Sequence, residues 1–276
     1  MKKIKNKTVL ITGGARGIGK AIALAFAKHG ANIIICDLDK SFFEENNFKN
    51  NVKDIEDLGV SCFGYYLDVT KYDDIIKIRE TILKDVGKIH ILVNNAGVVF
   101  GGKFLEVAIE KHKITYDVNT QGIINILHVF LQDLIDQKSA HIINIASASG
   151  FTPLPSGTTY ASSKAAVTSF SESLINELKQ NNNKHVGMTI VCPAYVNTGM
   201  FDGVKEPIFI PMLTSEKLAK KIVRAVYKNK RFVLEPAFIK FIPILKALSP
   251  HFIFDFLGRI LGGYSSMDFW KGRTNK

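Results

Sequence analysis

The chain has 276 residues, 46 % hydrophobic and 22 % charged, proportions of a globular protein that exclude an intrinsically disordered chain. At this length a chain buries roughly 70–75 % of its unfolded surface and needs neither disulfides nor metals to stay folded. Its net charge is +11, but 13 basic and 4 acidic residues fall between Thr214 and Lys276, so the excess belongs to the C-terminal region. Nucleic acid is therefore the least favoured partner: the charge is local, and no recognised reading module accompanies it. The three cysteines, Cys36, Cys62 and Cys192, stand singly in apolar runs, which suits a reducing cytoplasm and gives no metal-ligand spacing.

Before the first strand pattern there is no apolar run of signal-peptide or anchor length. Nowhere do about 18 apolar residues follow one another, so no transmembrane helix is expected. Short β-branched runs predict strands at Lys7–Thr12, Asn32–Cys36, Ser61–Leu67, Ile89–Val93, His141–Ala146, Val186–Cys192 and Arg231–Leu234. They lack clean alternation, as strands covered on both faces do. Helical patterns separate them, such as Gly17–His29 with Gly30 as its left-handed stop. Asn181–Asn183 reads as a solvated turn. The alternation predicts a single doubly wound α/β domain of Rossmann type with a seven-stranded parallel sheet. It occupies residues 1–236, with a C-terminal apolar-basic extension over 237–276.

Thr12-Gly13-Gly14-Ala15-Arg16-Gly17-Ile18-Gly19 follows the first strand and opens the first helix. Glycines there allow a tight turn and let a pyrophosphate approach the helix N-terminus, where free N–H groups favour anions. The second strand ends at Asp37, 18 residues after Gly19. A carboxylate at that place accepts hydrogen bonds from ribose hydroxyls and repels a 2′-phosphate. Arg16 pulls the other way, but Leu38 supplies no second cation, so NAD is favoured over NADP.

Ser147 stands at the end of the fifth strand, and Tyr160 and Lys164 follow at i and i+4 on one helix face. A phenol titrates near pH 10, so proton transfer at neutrality requires its anion to be stabilised. The Lys164 ammonium and a positively charged nicotinamide would lower its pKa toward the working range. Ser147 would then hold the substrate oxygen for hydride transfer.

In this order the glycine loop, Asp68-Val69, Asn94-Asn95-Ala96-Gly97, Asn119, Ser147, Tyr160 and Lys164 resemble the short-chain dehydrogenase/reductase superfamily from about Lys7 to Leu234. The resemblance implies that Asp68 and Val69 border the adenine and that Asn95, Ala96 and Gly97 support the sheet beside the cofactor. It implies that Asn119, mid-helix, holds a water in a proton relay to Lys164. Pro193, Val196 and Thr198 would meet the nicotinamide amide and the phosphates, with Ala194 where the family usually has glycine. A homodimer or homotetramer is implied in the same way.

Cys192–Phe201, and the later residues Pro236, Leu245, Pro250, Leu257-Gly258 and Met267-Asp268, are similar to the branch of retinol dehydrogenases, lipid-droplet hydroxysteroid dehydrogenases and their bacterial relatives. That likeness implies an apolar alcohol or carbonyl substrate. The expected pocket walls are Val98–Gly102, Phe151–Thr159 and Tyr195–Leu213, rich in Phe100, Phe151, Leu154, Met200, Phe201, Ile208, Phe209, Ile210 and Met212. Ser215–Asn229 reads as a helix with one apolar stripe and a cationic face. The aromatic and aliphatic residues after Pro236 fit a cover over the substrate cleft, an oligomer interface or a peripheral membrane contact. Two functions remain: an NAD(H)-linked oxidoreductase of a hydroxyl/carbonyl pair, and a non-catalytic dinucleotide sensor or scaffold on the same fold.

Overall fold

β-Branched apolar runs give seven strands: β1 (Thr8–Thr12), β2 (Asn32–Asp37), β3 (Cys62–Tyr66), β4 (Ile91–Asn94), β5 (Ala140–Ile145), β6 (Val186–Pro193) and β7 (Phe232–Glu235). All pair in parallel, in the order β3-β2-β1-β4-β5-β6-β7. Every strand expected from the sequence is present, with ends shifted by at most two residues. The computed structural model describes residues 1, 3–208 and 210–272. Phe209, expected in a pocket wall, and residues 273–276 of the extension lie outside the described residues.

The strands alternate, but both of their faces are apolar. Val9, Ile11, Ile33 and Ile35 pack into one core with α1 (Gly17–Ala27), α2 (Glu45–Glu56) and α7 (Ser215–Tyr227). Leu10, Ile34 and Cys36 enter the other core, built with α3 (Tyr72–Asp85), α5 (Gly122–Ile135) and α6 (Thr158–Gln180). This two-sided burial explains why the strands read as continuous hydrophobic runs. All three cysteines are free and buried. The first helix ends at Ala27, two residues before its predicted end, and Gly30 follows with φ +76°.

The expected helix around Asn119 is not uniform. α4 (Ile109–Tyr116) passes into a π-helical turn over Asp117–Gln121 before α5 begins. Such a turn widens the backbone spacing and commonly marks a functional position inside a helix. It carries Asn119, fully buried.

The extension forms α8 (Ile242–Leu248) and α9 (His251–Ile260), then turns back toward the loop after β6. Backbone bonds join the two segments: Ile208 N–H to Leu261 C=O (2.9 Å), Lys205 N–H to Ser266 C=O (3.0 Å) and Lys271 N–H to Asp202 C=O (2.8 Å). The Trp270 indole N–H adds a bond to the Met200 carbonyl at 3.0 Å. Among the described residues, no helix is long and apolar enough to cross a membrane.

Phe130 of α5 is fully buried between that helix and the sheet. Phe130→Ala is expected to lower the unfolding free energy by about 3–5 kcal/mol, from lost transfer energy and the cavity left behind. Urea titration checks this: the midpoint should fall with the slope unchanged.

Candidate active site

The connections on either side of β1 run to opposite faces of the sheet, because β1 lies between β2 and β4. Crevices open at the carboxyl ends of strands where the order reverses in this way. Every residue expected from the sequence to hold the cofactor lines the crevice here, except Gly19. A Cβ at Gly19 would stand 2.1 Å from the Gly13 carbonyl oxygen, so the loop closes over α1 only with glycine there. No side chain caps α1 at Arg16, and Gly17 and Ile18 of its first turn line the crevice. The free N–H groups of a helix N-terminus so disposed favour anions.

The loop is held from β4. Asn95 Nδ2 donates to the carbonyls of Thr12 (3.0 Å) and Gly13 (2.7 Å). Thr12 Oγ1 accepts from the N–H groups of Asn95 (3.1 Å) and Ala96 (3.2 Å). Asp37 is equally constrained: Oδ2 accepts from Ala15 N–H at 2.9 Å and Oδ1 from Leu38 N–H at 2.8 Å. Asp68 Oδ1 accepts from the N–H (2.9 Å) and hydroxyl (2.8 Å) of Thr70, which fixes it at the crevice edge. The sequence reading overlooked Asp39. Its carboxylate lies 3.9 Å from the Arg16 guanidinium, so the loop cation already has an anionic neighbour.

At the other end of the crevice, Lys164 is 3 % exposed and its Nζ donates to the Ile145 carbonyl at 2.8 Å. Nζ lies 5.9 Å from the centroid of the buried Tyr160 ring. Burial lowers the Lys164 pKa to about 8, against a smaller upward effect of Cys192. Burial pushes the Tyr160 phenol up to about 12; a hydrogen bond shared with Ser147 opposes this, and Tyr195 adds to it. The expected lowering of the phenol is therefore not a property of the polypeptide by itself. Desolvation outweighs the opposing hydrogen bond.

Ser147 lies two residues beyond β5, and its Oγ accepts from the N–H (3.2 Å) and hydroxyl (3.0 Å) of Ser149. Asn119 Oδ1 accepts from Val98 N–H at 2.8 Å, while Nδ2 donates to the Val98 carbonyl (2.9 Å) and Ser163 Oγ (3.0 Å). Its amide thus ties the π-helical turn to the β4 loop and to α6.

A second cavity of about 370 Å³ adjoins this end, with Ser147 and Tyr160 in its wall. Of the residues expected in the pocket walls, Leu154, Phe201, Ile208 and Ile210 line it, and Met200 lines the crevice instead. Met212 packs in the small cluster around Tyr160. Phe151 stacks near Phe232, and Phe100 lies under the Lys111 ammonium, so neither lines the cavity. Nearly half of the wall comes from the extension, including Phe238, Ile239, Ile242, Phe254 and Leu257. The inner side of the extension therefore packs over this cavity. Tyr195, whose hydroxyl pairs with Ser266 Oγ at 2.7 Å, joins wall and extension. Sequence spacing gave no signal for that pair, 71 residues apart.

Residues 7–208 match the family model described as short chain dehydrogenase. A curated relative named short-chain dehydrogenase/reductase family 16C member 6, from Bos taurus, is 33 % identical over 86 % of this chain and 74 % of its own length. Epidermal retinol dehydrogenase 2 of Mus musculus is 31 % identical over 100 % of this chain and 88 % of its own. A Burkholderia phymatum short chain dehydrogenase/reductase, crystallised with NAD, superposes with a TM-score of 0.79 at 27 % identity, covering 90 % of this chain and 95 % of its own. Sheet order, crevice and sequence agree: the chain belongs to the short-chain dehydrogenase/reductase family of oxidoreductases.

Proposed function

We propose that this protein is an NAD(H)-dependent oxidoreductase interconverting an apolar alcohol and its carbonyl compound. The observation that carries the reading is the junction of the two cavities, where Tyr160, Ala194 and Phe201 line both and Tyr160 alone of the three brings a titratable group. One cavity has the cradle for a dinucleotide, and the other is walled almost entirely by apolar side chains. Bound in the crevice, a nicotinamide cofactor supplies or accepts the hydride.

Gly17 and Ile18 would receive the pyrophosphate, and Asp37 the adenosine ribose hydroxyls. NAD is favoured because the Asp37 carboxylate opposes a 2′-phosphate, while Asp39 competes for Arg16. Tyr160 would move the proton at the substrate oxygen. With its pKa near 12 the phenol is protonated at neutral pH and fit to donate to a carbonyl. In the oxidising direction the Lys164 ammonium favours the phenolate that takes the proton from the alcohol. Ser147, which lines the cavity beside Tyr160, would position the substrate oxygen. Asn119 would set the geometry around Lys164 by holding Val98 and Ser163, with the relay water of the family as its further role.

Tyr160→Phe should lower turnover by at least ~10²-fold while NADH affinity stays nearly unchanged, since the ring remains and only the proton carrier is lost. Steady-state kinetics beside NADH fluorescence titration checks both; normal turnover would overturn the assignment. In the same titration the wild type should bind NADH more tightly than NADPH, and Asp37→Ala should narrow the ratio. Tighter NADPH binding by the wild type would give Arg16 the decisive role.

Burial of Lys164 has a pH signature independent of turnover. The folded pKa of about 8 lies below the unfolded value of 10.5, so between them the unfolded chain binds the extra proton. Stability from this group therefore rises with pH from about 8 to 10 and falls as pH drops toward 8. Lys164→Met should lose that rise, an effect on the order of 2–3 kcal/mol in denaturant titrations at pH 8 and 10.

A further inference from the structure

The two C-terminal helices are apolar on both sides. Phe254, Leu257 and Leu261 turn inward to the cavity. Outward stand Leu248 (81 % exposed), Phe252 (74 %), Phe256 (61 %) and Ile260 (57 %). On α9, residues 252, 256 and 260 recur every fourth position and form one stripe. Phe238, Phe241 and Leu245 belong to both surfaces: they line the cavity and are 39–51 % exposed. The apolar wall of the cavity thus continues onto the outer face. Contiguous exposed apolar surface of this kind marks an interaction site.

The charges on this face select the partner. Lys240, Lys246 and Arg259 are interleaved with the apolar side chains, and Lys240 Nζ lies 4.8 Å from the Phe241 ring centroid. Cations carried at the level of aromatic rings suit a boundary between hydrocarbon and anionic headgroups. The one carboxylate within α8 and α9, Asp255, accepts from the Tyr264 hydroxyl at 2.7 Å. α8 has 7 residues and α9 has 10, too few to span a bilayer and enough to lie along its surface.

We propose that the outer face of α8 and α9 docks on an anionic lipid surface, and that an apolar substrate passes from the lipid into the cavity past Phe238, Phe241 and Leu245. The second clause rests on the proposed function of the cavity; the first does not.

Flotation separates the two. The full chain is mixed with phosphatidylcholine vesicles, with and without phosphatidylserine, at low and at high salt. It is compared with a Leu248→Glu, Phe252→Glu, Phe256→Glu variant, whose replaced side chains do not line the cavity. The full chain should float with the anionic vesicles at low salt and less so at high salt. The variant should partition at least ~10-fold less, because three large apolar groups no longer enter the lipid. A thermal melt controls for folding, and Phe252→Ser serves as the milder comparison if the triple variant does not melt cooperatively. Failure of the full chain to float, or equal flotation of a folded variant, overturns the proposal. So does a solution mass that falls by a whole number of chains in the variant, since a second copy would then cover the face. Turnover is not read in this experiment, so loss of the enzymatic assignment would leave its result standing.

Discussion

The reversal of strand order beside β1 is the constraint on which the rest of the structure depends. Parallel strands require crossovers, and crossovers to opposite faces leave an opening that no backbone segment fills. The β1–α1 loop, the turn after β4, and the segments following β5 and β6 all converge there. Their polar groups satisfy one another. Asn95 holds the carbonyls of the glycine loop, Thr12 holds the N–H groups of the turn, and Asp37 holds Ala15. These bonds hold the loop and the turn in fixed positions relative to each other.

Burial in this opening sets the electrostatics. Desolvation works against both ionised Lys164 and ionised Tyr160. The polypeptide therefore holds a neutral phenol beside an easily discharged amine, and positive charge brought by a ligand has leverage here that it would lack in water. The Ile145 carbonyl keeps the ammonium in place meanwhile.

Much of this was legible in the sequence because the signals are local. A strand buried on both faces is a β-branched run, and a phosphate cradle is a cluster of glycines at a strand end. Tyr160 and Lys164 share a helix face by simple periodicity. The π-helical turn at Asn119 was hidden, because no composition distinguishes it from ordinary helix. Asp39 was missed because the folding back of the chain after β2, and not its spacing, brings it to Arg16. The cavity wall was legible only in part. Phe151 and Phe100 are as apolar as Leu154, yet the loop path sends them elsewhere. The path of the extension was not legible, because the Tyr195–Ser266 pair and the backbone bonds that hold it to the loop after β6 join residues far apart in sequence.

The most direct test of the central claim is NADH formation, followed by absorbance, when the protein is given NAD and alcohols graded from short and polar to long-chain and polycyclic. Turnover is expected to increase with the apolar size of the alcohol. Binding of NADH without its formation from any of these alcohols would contradict it, and would leave a dinucleotide-binding protein that performs no alcohol chemistry.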